Sequence, residues 1–197
     1  MAQNLLLAST NVGKLKELRE LTADLPVNWL SLADVGLAGM DVEETGATFE
    51  DNALLKARAY SVASKLPTLA DDSGLIVDAL NGAPGVYSAR YAPTVEERNA
   101  KLLRAVEGVA HDQRSACFVS VLAFLVPGEI TVIAEGRVEG HVADAPRGTN
   151  GFGYDPIFLL DDGRTMAELL PEEKNVISHR GRAFAKLLPI LRCLFAE

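Results

Sequence analysis

The sequence predicts an α/β fold: a mixed, twisted sheet with flanking helices, in two lobes. Three observations carry the α/β class. The chain opens on the short apolar run "NLLLA", passes through the polar loop "STNVGK", and continues into leucines at helical spacing. Two runs rich in β-branched and aromatic residues, "SACFVSVLAFLV" and "ITVIAEGRVEGHV", flank the turn "PGE" and read as a long antiparallel hairpin. Strands near the start alternate with helical segments, the pattern of a sheet with parallel elements.

Taken in order, residues 4–8 form a buried strand. Leu15, Leu18, Leu21 and Leu25 then lie along one face of a helix. "VNWLSL" is a second strand and "DVEETGAT" a polar connection. Thr48 caps a helix over Phe49 to Lys65, with Asp51 as a loose capping-box partner. "TLADD" and "GLIVDAL" read as strand segments interrupted at the two aspartates. "NGAPGVYSARYAP" is a loop and "TVEERNAKLLRAV" an amphipathic helix. After the hairpin, the Gly-rich "APRGTNGFGYDP" leads into the last strand, "IFLL". A C-terminal helix runs from about Pro171, where proline suits the first helical position, to about Phe195. The "SHRG" grouping breaks its amphipathic pattern and reads as a turn. No linker interrupts the chain, so residues 1–197 read as a single two-lobed domain.

The 197 residues are 48% hydrophobic and 23% charged, a globular composition large enough for its own core. The net charge of −8 argues against a nucleic-acid partner, since phosphate backbones are held by basic surfaces. It leaves room for a small phosphorylated ligand held by a few lysines. The two cysteines, Cys117 and Cys193, read as thiols in a reducing compartment. No signal peptide and no run of membrane-spanning length is visible, so no membrane partner is expected and the expected location is cytoplasmic.

Several groups have the composition of a reaction site. The loop Ser9, Thr10, Asn11, Val12, Gly13, Lys14 lies between a strand and a helix, where helix N–H groups meet phosphate; a plain capped helix start looks the same. It is not a Walker A loop, because Leu15 follows Lys14 and the Gly spacing fails. In "EETG", Glu43 and Glu44 are either solvated turn residues or carboxylates for a hard cation. Asn52 and Lys56 share one helix face, Lys56 either as an edge lysine or as a phosphate contact.

"LADDSGLIVDAL" places Asp71 and Asp72 inside an apolar run. Neighbouring strand residues point to opposite faces, so the two carboxylates do not share one pocket while the strand stays regular. One is expected in structural pairing and the other at the site, with a cation or hydrogen-bond network close by. Phe152 and Tyr154 in "NGFGYDP" are loop aromatics that either stack on a base or pack onto the core. Lys174, Ser178 and Arg182 follow at four-residue steps, with His179 and Arg180 beside them. The three histidines have no metal-ligand spacing, so zinc is not expected.

With "STNVGK", "EETG" followed by "TFEDNALLKA", "ADDSGL", "GAPGVYSARYA", "GFGYDP" and "EEKNVISHRGRA" in this order, the sequence resembles the inosine/xanthosine triphosphate pyrophosphatases. The likeness covers nearly the whole chain. It departs from the family pattern at Asn150 and Pro93, where glycine is frequent. The resemblance implies two lobes around a long cleft, a homodimer, and Mg²⁺-assisted hydrolysis of non-standard purine nucleoside triphosphates (ITP, dITP, XTP) to the monophosphate and pyrophosphate. It implies Glu43 and Asp72 at the metal, with Asp72 as proton acceptor. It implies Ser9 to Lys14, Lys56 and Ser73 as the triphosphate contacts. Phe152, Gly153, Tyr154, Asp155, Lys174, His179 and Arg180 are implied at the base and sugar.

Elementary chemistry agrees with that scheme. Attack on the α-phosphorus needs an activated water and neutralised phosphate charge, and lysines with carboxylates and a metal supply both. No Ser or Cys has an evident His partner in the sequence, which disfavours a phosphoenzyme. An arginine at the six-position edge accepts a 6-oxo purine but meets the adenine amine donor to donor, an unpaired contact costing ~1–3 kcal/mol. Two competing expectations are a septum-inhibitor-type nucleotide pyrophosphatase acting on pyrimidine or modified nucleotides, and a nucleotide sensor without turnover. "SHRG" and "GFGYDP" favour the purine enzyme over the first, and the paired carboxylates count against the second.

Overall fold

The computed structural model describes residues 3–128 and 131–195. Its one sheet has six strands in the order β2-β1-β3-β4-β5-β6. These are β1 (Gln3–Ala8), β2 (Val27–Leu30), β3 (Thr68–Val77), β4 (Ser115–Leu125), β5 (Thr131–Val142) and β6 (Phe158–Leu159). The helices are α1 (Val12–Leu21), α2 (Phe49–Ser64), α3 (Val95–Ala105), α4 (Pro171–Ile177) and α5 (His179–Phe195). β1 pairs in parallel with both β2 and β3, and β6 runs antiparallel to β5. The mixed sheet and its flanking helices are those the sequence predicts. β4 and β5 are sheet neighbours joined by a connection too short for a parallel crossover, so they form the expected hairpin. Glu129 of its predicted turn lies outside the described residues.

The chain divides into two compact units. The first comprises Met1–Asp72, Ser120–Gly136 and Arg180–Glu197. Its core packs Leu5, Leu7 and Leu69 from the parallel strands against Leu18 of α1 and Phe184, Leu187 and Leu191 of α5. Each such buried side chain contributes ~1.5–3 kcal/mol. β1 is apolar because its last four residues are buried, as a strand with neighbours on both edges should be. The second unit comprises Ser73–Val119 and Arg137–His179. Its core gathers Leu75, Val77, Leu102, Phe118, Val138 and Phe158.

Local sequence sets the helix starts. Thr48 and Asp51 close a reciprocal capping box at α2, and Thr94 and Glu97 do the same at α3. α2 ends at Lys65, which turns left-handed at φ 59°. One expectation needs correction: β3 runs unbroken through Asp71 and Asp72, because both carboxylates find cationic partners. The turn read at "SHRG" is present and divides the C-terminal helix in two: Ser178, extended at ψ 160°, ends α4, and α5 begins at His179.

Candidate active site

In the first unit, β1 ends at Ala8 and the "STNVGK" loop turns into α1. Asn11 is the N-cap, its Oδ1 accepting the Lys14 N–H at 3.1 Å, and its own N–H donates to Ser9 Oγ at 3.2 Å. The cap leaves Thr10, Asn11 and Val12 exposed, with Ser9 and Gly13 half-buried. Lys14 turns inward: its Nζ stands 3.2 Å from Asp71 Oδ2. Burial pulls its pKa down, and Asp71 opposes that.

Asp71 lies at the centre of a buried polar system. Ser120 Oγ of β4 donates to Oδ1 at 2.9 Å, and Arg180 Nε donates to Oδ2 at 3.0 Å. Arg180 Nη1 reaches on to Glu17 of α1. Burial alone raises the Asp71 pKa; Arg180 and Lys14 outweigh it and hold the carboxyl far below its usual range. The same carboxylates hold the Arg180 pKa up against the cost of burial.

Asp72 is in a different environment. Its Oδ1 accepts from Lys56 Nζ at 2.9 Å, while its buried Oδ2 has no hydrogen-bond partner among the described residues. Burial raises its pKa, and Lys56 only partly offsets that. Lys56 also donates to Glu44 Oε1 at 2.6 Å and to the Asp71 carbonyl at 2.9 Å. Burial works against the Lys56 charge, but Asp72 and Glu44 outweigh it and raise its pKa. The lysine is thus no snorkelling edge residue.

Glu44, not Glu43, is the side chain of "EETG" that meets Lys56; Glu43 is exposed. The glycine of that motif has a physical reason. Its N–H donates to Asn52 Oδ1 at 2.8 Å, and a Cβ at Gly46 would lie 2.5 Å from Asp51 Cβ. The loop therefore lies directly on the start of α2, which carries Lys56 four residues beyond Asn52.

In the second unit, Ser73 continues β3 and is half-buried. The "GFGYDP" loop is built around Asp155. Its Oδ2 accepts the Phe152 N–H at 2.7 Å and Lys174 Nζ at 2.6 Å, and that ammonium sits 4.8 Å over the Phe152 ring. Asn99 Nδ2 donates to the Gly153 carbonyl at 3.1 Å. Tyr154 faces the core: its hydroxyl donates to the Ser88 carbonyl at 2.8 Å, and burial pushes its pKa up. His179 is buried with its ring stacked on Phe118 at 4.7 Å.

The structure therefore gathers Lys14, Lys56 and Asp72 in one unit, and Phe152, Asp155 and Lys174 in the other. Glu43 is exposed while Glu44 stands at Lys56. Arg180, expected at the base edge, is 1% exposed, and its Nε and Nη1 donate to Asp71 and Glu17. Glu17 and Ser120 had no part in the sequence reading, and Glu44 entered it only as one of two acids in "EETG". Glu17 had one local signal, its position one helical turn after Lys14.

The sequence model of the Ham1 family matches residues 5–190. A dITP/XTP pyrophosphatase of Geobacillus kaustophilus is 51% identical over 191 residues, covering 94% of this chain and 92% of that protein. The dITP/XTP pyrophosphatase of Bacillus subtilis is 47% identical, covering 94% and 96%. Among solved structures, a HAM1 protein of Coxiella burnetii superposes with a TM-score of 0.86 at 46% identity, over 96% of this chain and 98% of that one. The Staphylococcus aureus Ham1 protein gives 0.86 at 40% identity, over 98% and 100%. With matches over nearly the full length of these proteins, the chain belongs to the Ham1 family.

Proposed function

We propose that the chain hydrolyses non-standard purine nucleoside triphosphates, dITP, ITP and XTP, to the nucleoside monophosphate and pyrophosphate. The observation that carries this reading is the Asp72 carboxylate: one oxygen on Lys56, the other buried and open, in a family whose similar members are named dITP/XTP pyrophosphatases. An acceptor with a raised pKa beside two lysines suits proton removal from a water next to bound phosphate.

In the proposed reaction, Lys14 and Lys56 bind the triphosphate, with the Ser9–Lys14 loop and Ser73. A water attacks the α-phosphorus and gives its proton to Asp72. The bond from the α-phosphorus to the bridging oxygen breaks, and the electron pair leaves with pyrophosphate, whose charge the two lysines offset. No covalent intermediate is formed.

Mg²⁺ is the proposed metal. Mg²⁺ takes hard oxygens, commonly one or two carboxylates with water and phosphate, and Asp72 Oδ2 is such an oxygen. No group of three or more His, Cys, Asp and Glu suited to a metal occurs among the described residues. Glu43, the exposed carboxylate of "EETG", is the proposed second ligand. When bound, the metal would polarise the phosphate oxygens and acidify a water.

Phe152, with Gly153, Tyr154, Asp155, Lys174 and His179, is proposed to serve the base and sugar. Arg180 is proposed there with them, its Nε and Nη1 held by Asp71 and Glu17. The proposed assembly is a homodimer working on the cytoplasmic nucleotide pool. No helix among the described residues is long and apolar enough to cross a membrane.

The test is pyrophosphate release from dITP, XTP, ITP, GTP, ATP and TTP with Mg²⁺, for wild type and Asp72→Asn. Release confined to the 6-oxo non-standard purines and lost in the variant is the expected result. Equal rates on ATP and TTP, or orthophosphate as product, would refute it.

A further inference from the structure

Lys14 and Glu17 are one turn apart on α1, and both turn toward the same buried system. Asp71 Oδ2 is shared by two cations, Lys14 Nζ at 3.2 Å and Arg180 Nε at 3.0 Å. Ser120 Oγ holds the other oxygen at 2.9 Å, which fixes the rotation of the carboxylate. Glu17 takes Arg180 at Nη1, the end away from Nε. Lys14 and Arg180 are balanced by Asp71 and Glu17, so the buried quartet is neutral. Arg180 and Asp71 are almost wholly inaccessible, at 1% and 2% exposure. A charge imbalance here is not screened by water.

We propose that Glu17 and Ser120 are positioning residues for Lys14, the lysine assigned above to the triphosphate; the inference rests on that assignment. The mechanism is competition for one carboxylate. With Glu17 in place, the guanidinium divides its charge between two acids, and Asp71 Oδ2 keeps capacity for Lys14. Without the Glu17 charge, Arg180 draws harder on Asp71, the carboxylate it shares with Lys14. The arginine holds the stronger claim, since its planar fork suits a carboxylate better than a point ammonium does. Lys14 then loses its anchor and its defined place beside the phosphates. Ser120 acts at the opposite oxygen: without its hydroxyl the carboxylate rotates, and the Oδ2 position that Lys14 uses is no longer fixed.

Structural support and positioning are separated by a double-mutant cycle with Lys14. Wild type, Glu17→Gln, Lys14→Ala and the double variant are compared for KM and kcat on dITP, for pyrophosphate binding by calorimetry, and for thermal melting. Glu17→Gln keeps an acceptor for Arg180 and removes only the charge. It is expected to raise KM about tenfold and weaken pyrophosphate binding alike, with kcat within about threefold. In the Lys14→Ala background the same change is expected to move either constant by less than about twofold. Ser120→Ala, which removes one hydroxyl and no charge, runs through the same cycle with the same expectation and decides the matter if Glu17→Gln does not fold. Equal effects in both backgrounds, or unchanged KM and pyrophosphate affinity in the folded single variants, would overturn the proposal. A wild type that releases no pyrophosphate from dITP would refute the proposed function instead, and the calorimetric cycle would still decide the positioning role.

Discussion

Asp71 and Asp72 are adjacent on one unbroken strand, yet their pKa values move in opposite directions. Asp71 is buried between Arg180 and Lys14 and is held far below the usual carboxyl range. Asp72 is buried with one oxygen on Lys56 and the other open, and its pKa is raised. Alternation along the strand sends the two side chains to different faces, so one sequence pair supplies an anchor and a reactive group.

Stability follows from these signs. A depressed folded pKa stabilises the fold at neutral pH, and that contribution is lost as pH falls below the ordinary carboxyl value of about 4. A raised folded pKa does the reverse: the ionised Asp72 weakens the fold, and acid relieves it. Asp71→Asn leaves Lys14 and Arg180 buried without their shared charge, and should cost ~3–5 kcal/mol. Asp72→Asn should raise the melting temperature while abolishing turnover. Melting curves of wild type and both variants from about pH 2 to 8 check the pair; a loss of stability in Asp72→Asn at neutral pH would contradict the assignment.

The same raised pKa bears on rate. Asp72 accepts a proton only when ionised, so the acid limb of kcat/KM should lie above the ordinary aspartate value of about 3.9. Lys56 is the main group opposing that rise. Lys56→Met should therefore move the limb to higher pH, besides raising KM through the lost phosphate contact. A pH–rate profile on dITP in both proteins tests this; a limb that stays in place would remove Lys56 from the electrostatics of Asp72.

Much of this was legible in the sequence because it is local. The helix cap at Thr48, the helix face of Lys56 and the two-faced placement of Asp71 and Asp72 all follow from spacing within a few residues. What was not legible depends on partners far along the chain. Arg180 lies 109 residues from Asp71 and 163 from Glu17, and nothing near "SHRG" reports either acid. Without those partners, two adjacent carboxylates read as a break in β3; with them the strand continues. The choice between Glu43 and Glu44 is a question of which side chain a turn sends inward, and the motif contains both.

The thiols offer a check that involves no substrate. Cys117 is buried on β4, and burial together with a hydrogen bond to Glu139 pushes its pKa up to about 12. Cys193 is exposed on α5. Thiolate is the reactive form, so a disulfide reagent at pH 8 should titrate Cys193 quickly and Cys117 only after denaturation. Fast reaction of both thiols in the native protein would contradict the packing of β4 against β5.

The proposed base site is tested at its most crowded glycine. Gly151 has φ +73°, and a Cβ there would lie 2.1 Å from Asp155 Oδ2 and 3.0 Å from Lys174 Nζ. That oxygen is the one that receives both Lys174 and the Phe152 N–H. Gly151→Ala therefore has to push Asp155 off its partners, and it loosens Lys174 and the Phe152 ring together. The strain and the weakened buried pair should cost roughly 2 kcal/mol or more of stability. If this cluster serves the purine, KM for dITP should rise about tenfold, while pyrophosphate, which lacks a base, binds with unchanged affinity. Parallel calorimetry with dIMP and pyrophosphate reads the two ends separately. Equal weakening of both would mean that the cluster supports the whole site and not the base.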